Sequence, residues 1–363
     1  MVCVIGSGFA GAATAYFLAR LGIHDGVVLE QEAQAGLHAS GNNAAMARQF
    51  ILDPLIQQFA IRGTQFLYAP PQDLADRPLV RAIGSMILFD EASEQQIRRA
   101  VADGHRQALT SSVIQRAECE ARVPVLADAD FAGAVWTSTD GIIDTHAYLT
   151  GLLRAAQTAG VQFVPNACVQ AIARRNGAFV VQTERGEWEC CVIVNAAGAW
   201  AALIAECAGV RPRGLQVLRR HLFWSPRKAS DAFQKESDSF WGSYPQWPFV
   251  WDNTHEFYFR PESGGLLLCA CDEEAVAPGT HGVNQSAQEM LAAKLAAYCP
   301  RLAGVQITKS WSGLRTFAPD RRFVLGWDAE CTGFYWVAGL GGHGVTCAAA
   351  VGEHAANEIA ACL

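Results

Sequence analysis

The chain opens on a short, unbroken apolar run, Val2-Cys3-Val4-Ile5, of the kind that forms a parallel strand buried on both faces. Glycines follow at once in Gly6-Ser7-Gly8-Phe9-Ala10-Gly11. A helix rich in Ala, Phe and Leu is expected from about Phe9 to Leu21, stopped by Gly22, and a second apolar run, Val27-Val28-Leu29, ends on Glu30. Much later Val192-Ile193-Val194 reads as another buried strand, running through Asn195, Ala196, Ala197 and Gly198 into a helix. Near the C-terminus Gly339-Leu340-Gly341-Gly342-His343-Gly344-Val345-Thr346 leads into an Ala-rich helix. Apolar strands that alternate with helices in this way place the chain in the α/β class.

The first of these units carries chemistry. Gly6 permits a tight turn, Gly8 lets the backbone approach a pyrophosphate, and Gly11 lets the helix pack closely on the strand. The first-turn N–H groups would then face the phosphates. Glu30, 19 residues after Gly11, stands where an acid hydrogen-bonds a ribose 2′-hydroxyl. Its charge repels a 2′-phosphate, which disfavours NADP and leaves FAD and NAD both open. The bland alternative is a glycine-rich turn with a surface glutamate. Directly afterwards Gly36 to Met46 form a loop of small and polar residues whose backbone could contact a second cofactor moiety.

Composition narrows the classes. A length of 363 residues suggests two lobes, and 51% hydrophobic against 17% charged residues describes a globular chain. A net charge of −7 with no Lys/Arg stripe argues against nucleic acid. The 12 cysteines contain no CxxC pair, so neither a zinc site nor any other metal is expected, and they read as buried thiols of a reducing compartment. Met1 lies directly on the first strand, which leaves no room for a secretory signal and leads to the expectation of a cytoplasmic enzyme. Val192 to Val210 is apolar, but Asn195, Gly198 and Glu206 interrupt it, so no transmembrane segment is expected.

Taken in order, the N-terminal glycines, "ASGNNAA" (39–45), "DGIIDTHAYLTGLLRAA" (140–156), "VNAAGAW" (194–200), "WSGLRTFAPD" (311–320) and "GLGGHGVT" (339–346) resemble the D-amino acid oxidase superfamily. That group of FAD enzymes includes glycine oxidase, sarcosine oxidase and D-amino acid dehydrogenase. The likeness spans the whole chain and is strongest to D-arginine dehydrogenase-like enzymes, through "VVLEQEAQAGLHASGNNAA", "VPVL" and "EFYFRP". It implies a Rossmann-type FAD-binding domain of the glutathione-reductase type, assembled from 1–80, 136–210 and 309–363. Segments 81–135 and 211–308 would build a β-sheet-rich substrate domain that roofs the pocket.

On that likeness Gly6, Gly8, Gly11 and Glu30 match the ADP part of FAD, and Val169 a backbone contact to adenine. Ser40, Gly41, Asn42 and Asn43 match the loop at the pyrophosphate and flavin. Gly342, Gly344, Val345 and Thr346 match the turn and helix start beside the flavin's pyrimidine end. Arg315 matches the arginine that pairs with a substrate carboxylate, while Arg220, Tyr258 and His343 match positions that line the pocket. The FAD is expected to be non-covalent, because His38 is out of register with histidine-linked relatives and Gly313 stands at the attachment cysteine of monomeric sarcosine oxidase.

Two departures bear on the substrate. Ser85 precedes Met86-Ile87-Leu88 where arginine-specific relatives carry an acid, and Met46 and Ile51 replace polar lining residues. A more apolar pocket follows, with the tryptophan-rich segment Phe240 to Trp251 helping to roof it. The implied reaction is oxidation of the C–N bond of a small amino acid or secondary amine acid by hydride transfer to flavin N5, with oxygen or a quinone as electron acceptor. No side chain need act as base. The alternatives are a 2-hydroxy acid or glycerol phosphate dehydrogenase, or the flavin subunit of a larger, heteromeric dehydrogenase.

Overall fold

Val2–Ile5 is buried throughout, Val2 and Val4 in one apolar cluster and Cys3 and Ile5 in another on the opposite face, with a parallel strand on each side of it. Its residues pair in register with Gly26 to Leu29 and with Val192 to Asn195. The computed structural model, which describes residues 1–227 and 244–363, extends this sheet with Gln162–Val164 at one edge. Phe334–Ala338 follows on the other side, and Val324–Trp327 closes that edge antiparallel, giving six strands. Parallel register sends the carboxyl ends of four strands to one rim. Gly6–Gly8, Glu30, Ala196–Gly198 and Gly339–His343 therefore all leave from the same edge, where ligands of open α/β sheets bind.

The helices Phe9–Arg20, Pro54–Tyr68 and Gly344–Ala360 pack together, and small residues set their spacing. A Cβ on Gly352 would lie 2.5 Å from the backbone of Ala13, and one on Gly63 would lie 2.0 Å from the Thr346 carbonyl oxygen. A separate cluster around Ile193, Phe179 and Ala201 packs the parallel sheet against a three-stranded antiparallel sheet, Val169–Arg175, Ala178–Thr183 and Gly186–Cys190.

The second layer is a nine-stranded sheet, antiparallel except where Phe249–Asp252 runs parallel to Ser85–Phe89. Alternation along its strands separates two apolar faces. Met86, Leu88, Phe257, Phe259, Leu266 and Leu268 face the helix Gln285–Tyr298, whereas Ile87, Phe249, Tyr258 and Leu267 face the other way. The strand Lys309–Phe317, which the segment boundaries drawn from sequence put with the nucleotide half, pairs over its length with Gln216–Pro226 in this large sheet.

Among the described residues no helix is long and apolar enough to cross a membrane, and no cluster of His, Cys, Asp and Glu could hold a metal ion. The stretch from Val192 is a strand, a 3-10 turn at Gly198–Trp200 and a helix at Ala201–Cys207. All twelve cysteines are free. Cys168, Cys191, Cys207 and Cys362 are exposed, so the expectation of buried thiols fails at those four.

Candidate functional site

A cavity of about 490 Å³ lies between the rim of the parallel sheet and the inner face of the large sheet. Its nucleotide-side wall includes Gly8, Ser40, Asn43, Gly342, Gly344, Val345 and Thr346, and its other wall includes Arg220, Tyr258 and Arg315. Residues expected at one site from scattered positions thus meet. Gly6, Gly11, Glu30, Gly41, Asn42 and Val169 lie outside the cavity wall; Gly6, Gly11 and Glu30 belong to the first turn and the strand end beside it, whereas the Asn42 carbonyl reaches Arg315 on the opposite side. At that strand end the Glu30 carboxylate accepts from the Ser7 N–H at 3.0 Å and the Ser7 hydroxyl at 2.5 Å, and the Ala167 N–H donates to the Glu30 carbonyl at 2.7 Å.

Two helix N-termini open onto the cavity. Phe9 N–H donates to Ser40 Oγ at 3.0 Å, while the N–H groups of Ala10 and Gly11 take no partner among the described residues. The N–H groups of Gly344, Val345 and Thr346 are likewise open. Gly8 has an ordinary φ of −65°, but a Cβ there would come within 2.8 Å of Ser40 Oγ, so the space beside it depends on glycine. Unpaired N–H groups at two positive dipole ends, with a glycine-bounded cradle between strand and helix, suit a phosphorylated nucleotide with an electron-accepting ring.

The substrate-side residues owe their meeting to sheet register. Arg220 lies opposite Gly313 and Arg315 opposite Leu218, so the two arginines are diagonal neighbours on one face. Tyr258 lies opposite Trp251, with ring centroids 5.0 Å apart. Among the described residues Arg315 donates only to backbone carbonyls, those of Leu314 at 3.0 Å and Asn42 at 3.4 Å, and burial lowers its pKa. Arg220 instead pairs with Glu273 at 2.8 Å, and Glu273 is also held by Arg321. His343 lines the cavity at the start of the last helix. Burial, reinforced by Arg48 and Arg220, pushes its pKa down to about 3, so its ring is neutral at physiological pH.

The attachment candidates are turned elsewhere. His38 Nε2 lies 2.8 Å from Glu32 Oε1 and its ring packs on Trp200, while a Cβ on Gly313 would lie 2.2 Å from the Asn42 carbonyl oxygen. Of the tryptophans expected in the roof, Trp251 lines the cavity, Trp247 is fully buried away from it, and Trp241 lies outside the described residues, as does Phe240.

Sequence reasoning missed Arg48 and Asp140. Arg48, two residues beyond Met46, lines the cavity with its guanidinium 4.2 Å from the centre of the Trp251 ring. The cavity wall therefore carries four arginines, Arg48, Arg220, Arg315 and Arg321, beside the apolar side chains of Met46 and Ile51, which do line it. Ser85 does not line it. Its hydroxyl donates to Asp140 Oδ2 at 2.7 Å, so a carboxylate does lie behind the position where an acid was found wanting. Burial, opposed by hydrogen bonds from Ser85 and Gln49, pushes the Asp140 pKa up to about 6. Asp140 opens the motif "DGIID", but nothing in that spacing shows what its carboxylate faces.

The profile of the FAD dependent oxidoreductase (DAO) family matches residues 1–358. Among named relatives, mitochondrial sarcosine dehydrogenase of Mus musculus is 24% identical over 99% of this chain and 39% of its own length. The 4-methylaminobutanoate oxidase (formaldehyde-forming) of Paenarthrobacter nicotinovorans is 23% identical over 98% of this chain and 43% of its own. The chain thus spans about two fifths of these relatives. The crystal structure of L-proline dehydrogenase from P. horikoshii superposes with a TM-score of 0.84 at 21% identity, covering 99% of this chain and 92% of that one.

Proposed function

The chain belongs to the FAD dependent oxidoreductase family, and from that membership we propose that it oxidises the carbon–nitrogen bond of a small amine-bearing carboxylic acid. FAD is its cofactor, and the fit of the glycine cradle and the two open helix starts supports non-covalent retention by Gly6, Gly8, Gly11, Glu30, the Ser40–Asn43 loop, Val169 and the Gly342–Thr346 turn. When bound, the flavin supplies a two-electron acceptor for hydride from a carbon next to nitrogen. The observation that carries the reading is Arg315, a buried guanidinium on the cavity wall with no carboxylate of its own among the described residues.

Arg315 would hold the substrate carboxylate through two parallel hydrogen bonds, which fixes the adjacent carbon. Tyr258 and Trp251 wall the site against water, and His343 lines it as a neutral ring that can hydrogen-bond but carries no positive charge. The neutral amine would give up its α C–H as hydride to the flavin and become an iminium ion, which water hydrolyses to a carbonyl compound and free amine, releasing a proton. A substrate amine bound deprotonated needs no side-chain base.

Anaerobic mixing of the FAD-loaded protein with D- and L-amino acids, N-methyl amino acids and 2-hydroxy acids tests this. Bleaching of the flavin absorbance by carboxylated amines is expected, and admission of oxygen then separates an oxidase from a dehydrogenase that passes electrons to a quinone or partner. Bleaching by hydroxy acids alone would overturn the reading.

A further inference from the structure

Four arginines, Arg48, Arg220, Arg315 and Arg321, line the cavity, and their partners are unequal. Arg220 and Arg321 share the carboxylate of Glu273. Arg315 meets only carbonyl oxygens, and Arg48 has no hydrogen-bond or ion-pair partner among the described residues, only the face of Trp251. The carboxylates nearby are committed elsewhere. Asp140 accepts from Gln49 N and Nε2 and from Ser85 Oγ, and Asp53 caps the helix Pro54–Tyr68 and pairs with Arg322. Exposed Glu256 and Asp320 also border the cavity but pair with neither Arg48 nor Arg315.

Arg48 is not loosely placed. The N–H of Gln49 is pinned to Asp140 Oδ1 at 3.1 Å, and Thr346 Oγ1 donates to the Met46 carbonyl at 2.7 Å, which fixes the backbone on both sides of it. Arg48 is held and half-buried, Asp140 offsets its charge only at a distance because that carboxylate is bound to Gln49 and Ser85, and an aromatic face compensates only part of the remaining cost, which an acidic group of a ligand in direct contact would lower. A substrate with a single carboxylate satisfies Arg315 and leaves Arg48 as it was.

We propose that the cavity takes an amine bearing two acidic groups, Arg315 holding the carboxylate beside the reacting carbon and Arg48 holding the second acid against Trp251. This rests on the reading of the site as an amine-acid oxidase. An amino dicarboxylate or an N-carboxymethyl amino acid has the required chemistry, and Arg48 is its specificity-determining residue.

The test uses the FAD-loaded protein and acids that cannot be oxidised. Acetate, propionate and butyrate are titrated against malonate, succinate and glutarate, with binding read from the change in flavin absorbance. At least one dicarboxylate is expected to bind about 10- to 100-fold more tightly than its monocarboxylate counterpart, the range of one further charge-assisted hydrogen-bonded contact. Arg48→Gln is expected to collapse that preference and Arg48→Lys to keep part of it, since a point charge replaces the planar fork. The flavin spectrum and FAD content of each variant report whether Arg48 serves the cofactor instead. Equal binding of mono- and dicarboxylates by the wild-type protein, a preference that survives Arg48→Gln, or loss of FAD in both variants would overturn the proposal and leave the Arg315 reading standing. If no carboxylate of either kind perturbs the flavin, both fall.

Discussion

Arg315 is where chemistry and register coincide. It is 9% exposed, and its guanidinium donates to two carbonyls, which orients it without discharging it. Truncating one partner of a buried charged pair costs roughly 2–5 kcal/mol, so Arg315→Ala should lower kcat/KM for a carboxylated amine by about 30-fold to several thousand-fold. Arg315→Lys should recover only part of it. FAD content should be unchanged in both, and near-normal kinetics in the alanine variant would remove the carboxylate role. The identity of Arg315 was legible in "WSGLRTFAPD", because the motif is a contiguous string. Arg48 was not, since its meaning depends on Trp251 and on an Asp140 carboxylate that is committed to Gln49 and Ser85, all distant in sequence from one another in a way no local pattern records. The pairing of Arg220 with Glu273 was hidden for the same reason.

At the scale of elements, the first strand, turn and helix were readable almost to the residue. The helix expected from about Phe9 to Leu21 runs Phe9–Arg20, and Gly22 takes the positive φ of +85° that ends it. The glycines of the turn have separable duties. A Cβ on Gly11 would lie 1.9 Å from the Gly6 carbonyl oxygen, a backbone atom that cannot swing aside, whereas one on Gly8 meets only the Ser40 hydroxyl. Gly11→Ala should therefore lower the stability of the FAD-free protein by about 1–3 kcal/mol, the usual cost of overpacking. Gly8→Ala should leave that stability near wild type and abolish FAD retention, because the methyl group would occupy pyrophosphate space. Thermal unfolding of the FAD-free proteins and the flavin-to-protein absorbance ratio separate the two effects. Normal FAD content in Gly8→Ala would sink the nucleotide assignment at that glycine. What local pattern could not supply was the sheet to which Lys309–Phe317 belongs. Its partner, Gln216–Pro226, is remote, and an apolar run says nothing of which strand it will meet.

For the whole molecule the question is how the two layers are held around the cavity, and Asp140 stands at the junction. Its carbonyl accepts from the N–H groups of Ile83 and Gly84, and its carboxylate ties Ser85 of the large sheet to Gln49 beside Arg48. Burial raises its pKa from an ordinary 3.8 to about 6 despite those hydrogen bonds and the nearby Arg48 charge. The folded protein therefore binds this proton more tightly than the unfolded chain does. Below pH 3.8 the group is protonated in both states and costs nothing. As pH rises from about 4 to 6 the unfolded carboxyl ionises first, and stability is lost. Above about 6 the full penalty is present, roughly 3 kcal/mol for such a rise. His343 slopes the other way. Its pKa falls from 6.5 to about 3, so the unfolded chain holds that proton more tightly, and its contribution to stability improves as pH rises through the same interval. The sum alone is uninformative, and the comparison has to be made against Asp140→Asn, which keeps the shape and removes the charge. The stability of the wild type relative to Asp140→Asn should decline between pH 4 and 6 and level off above it, as followed by denaturant unfolding across that range. A difference that stays constant with pH would mean that Asp140 takes up its proton in the folded protein as it does in the unfolded chain, so that burial has not raised its pKa.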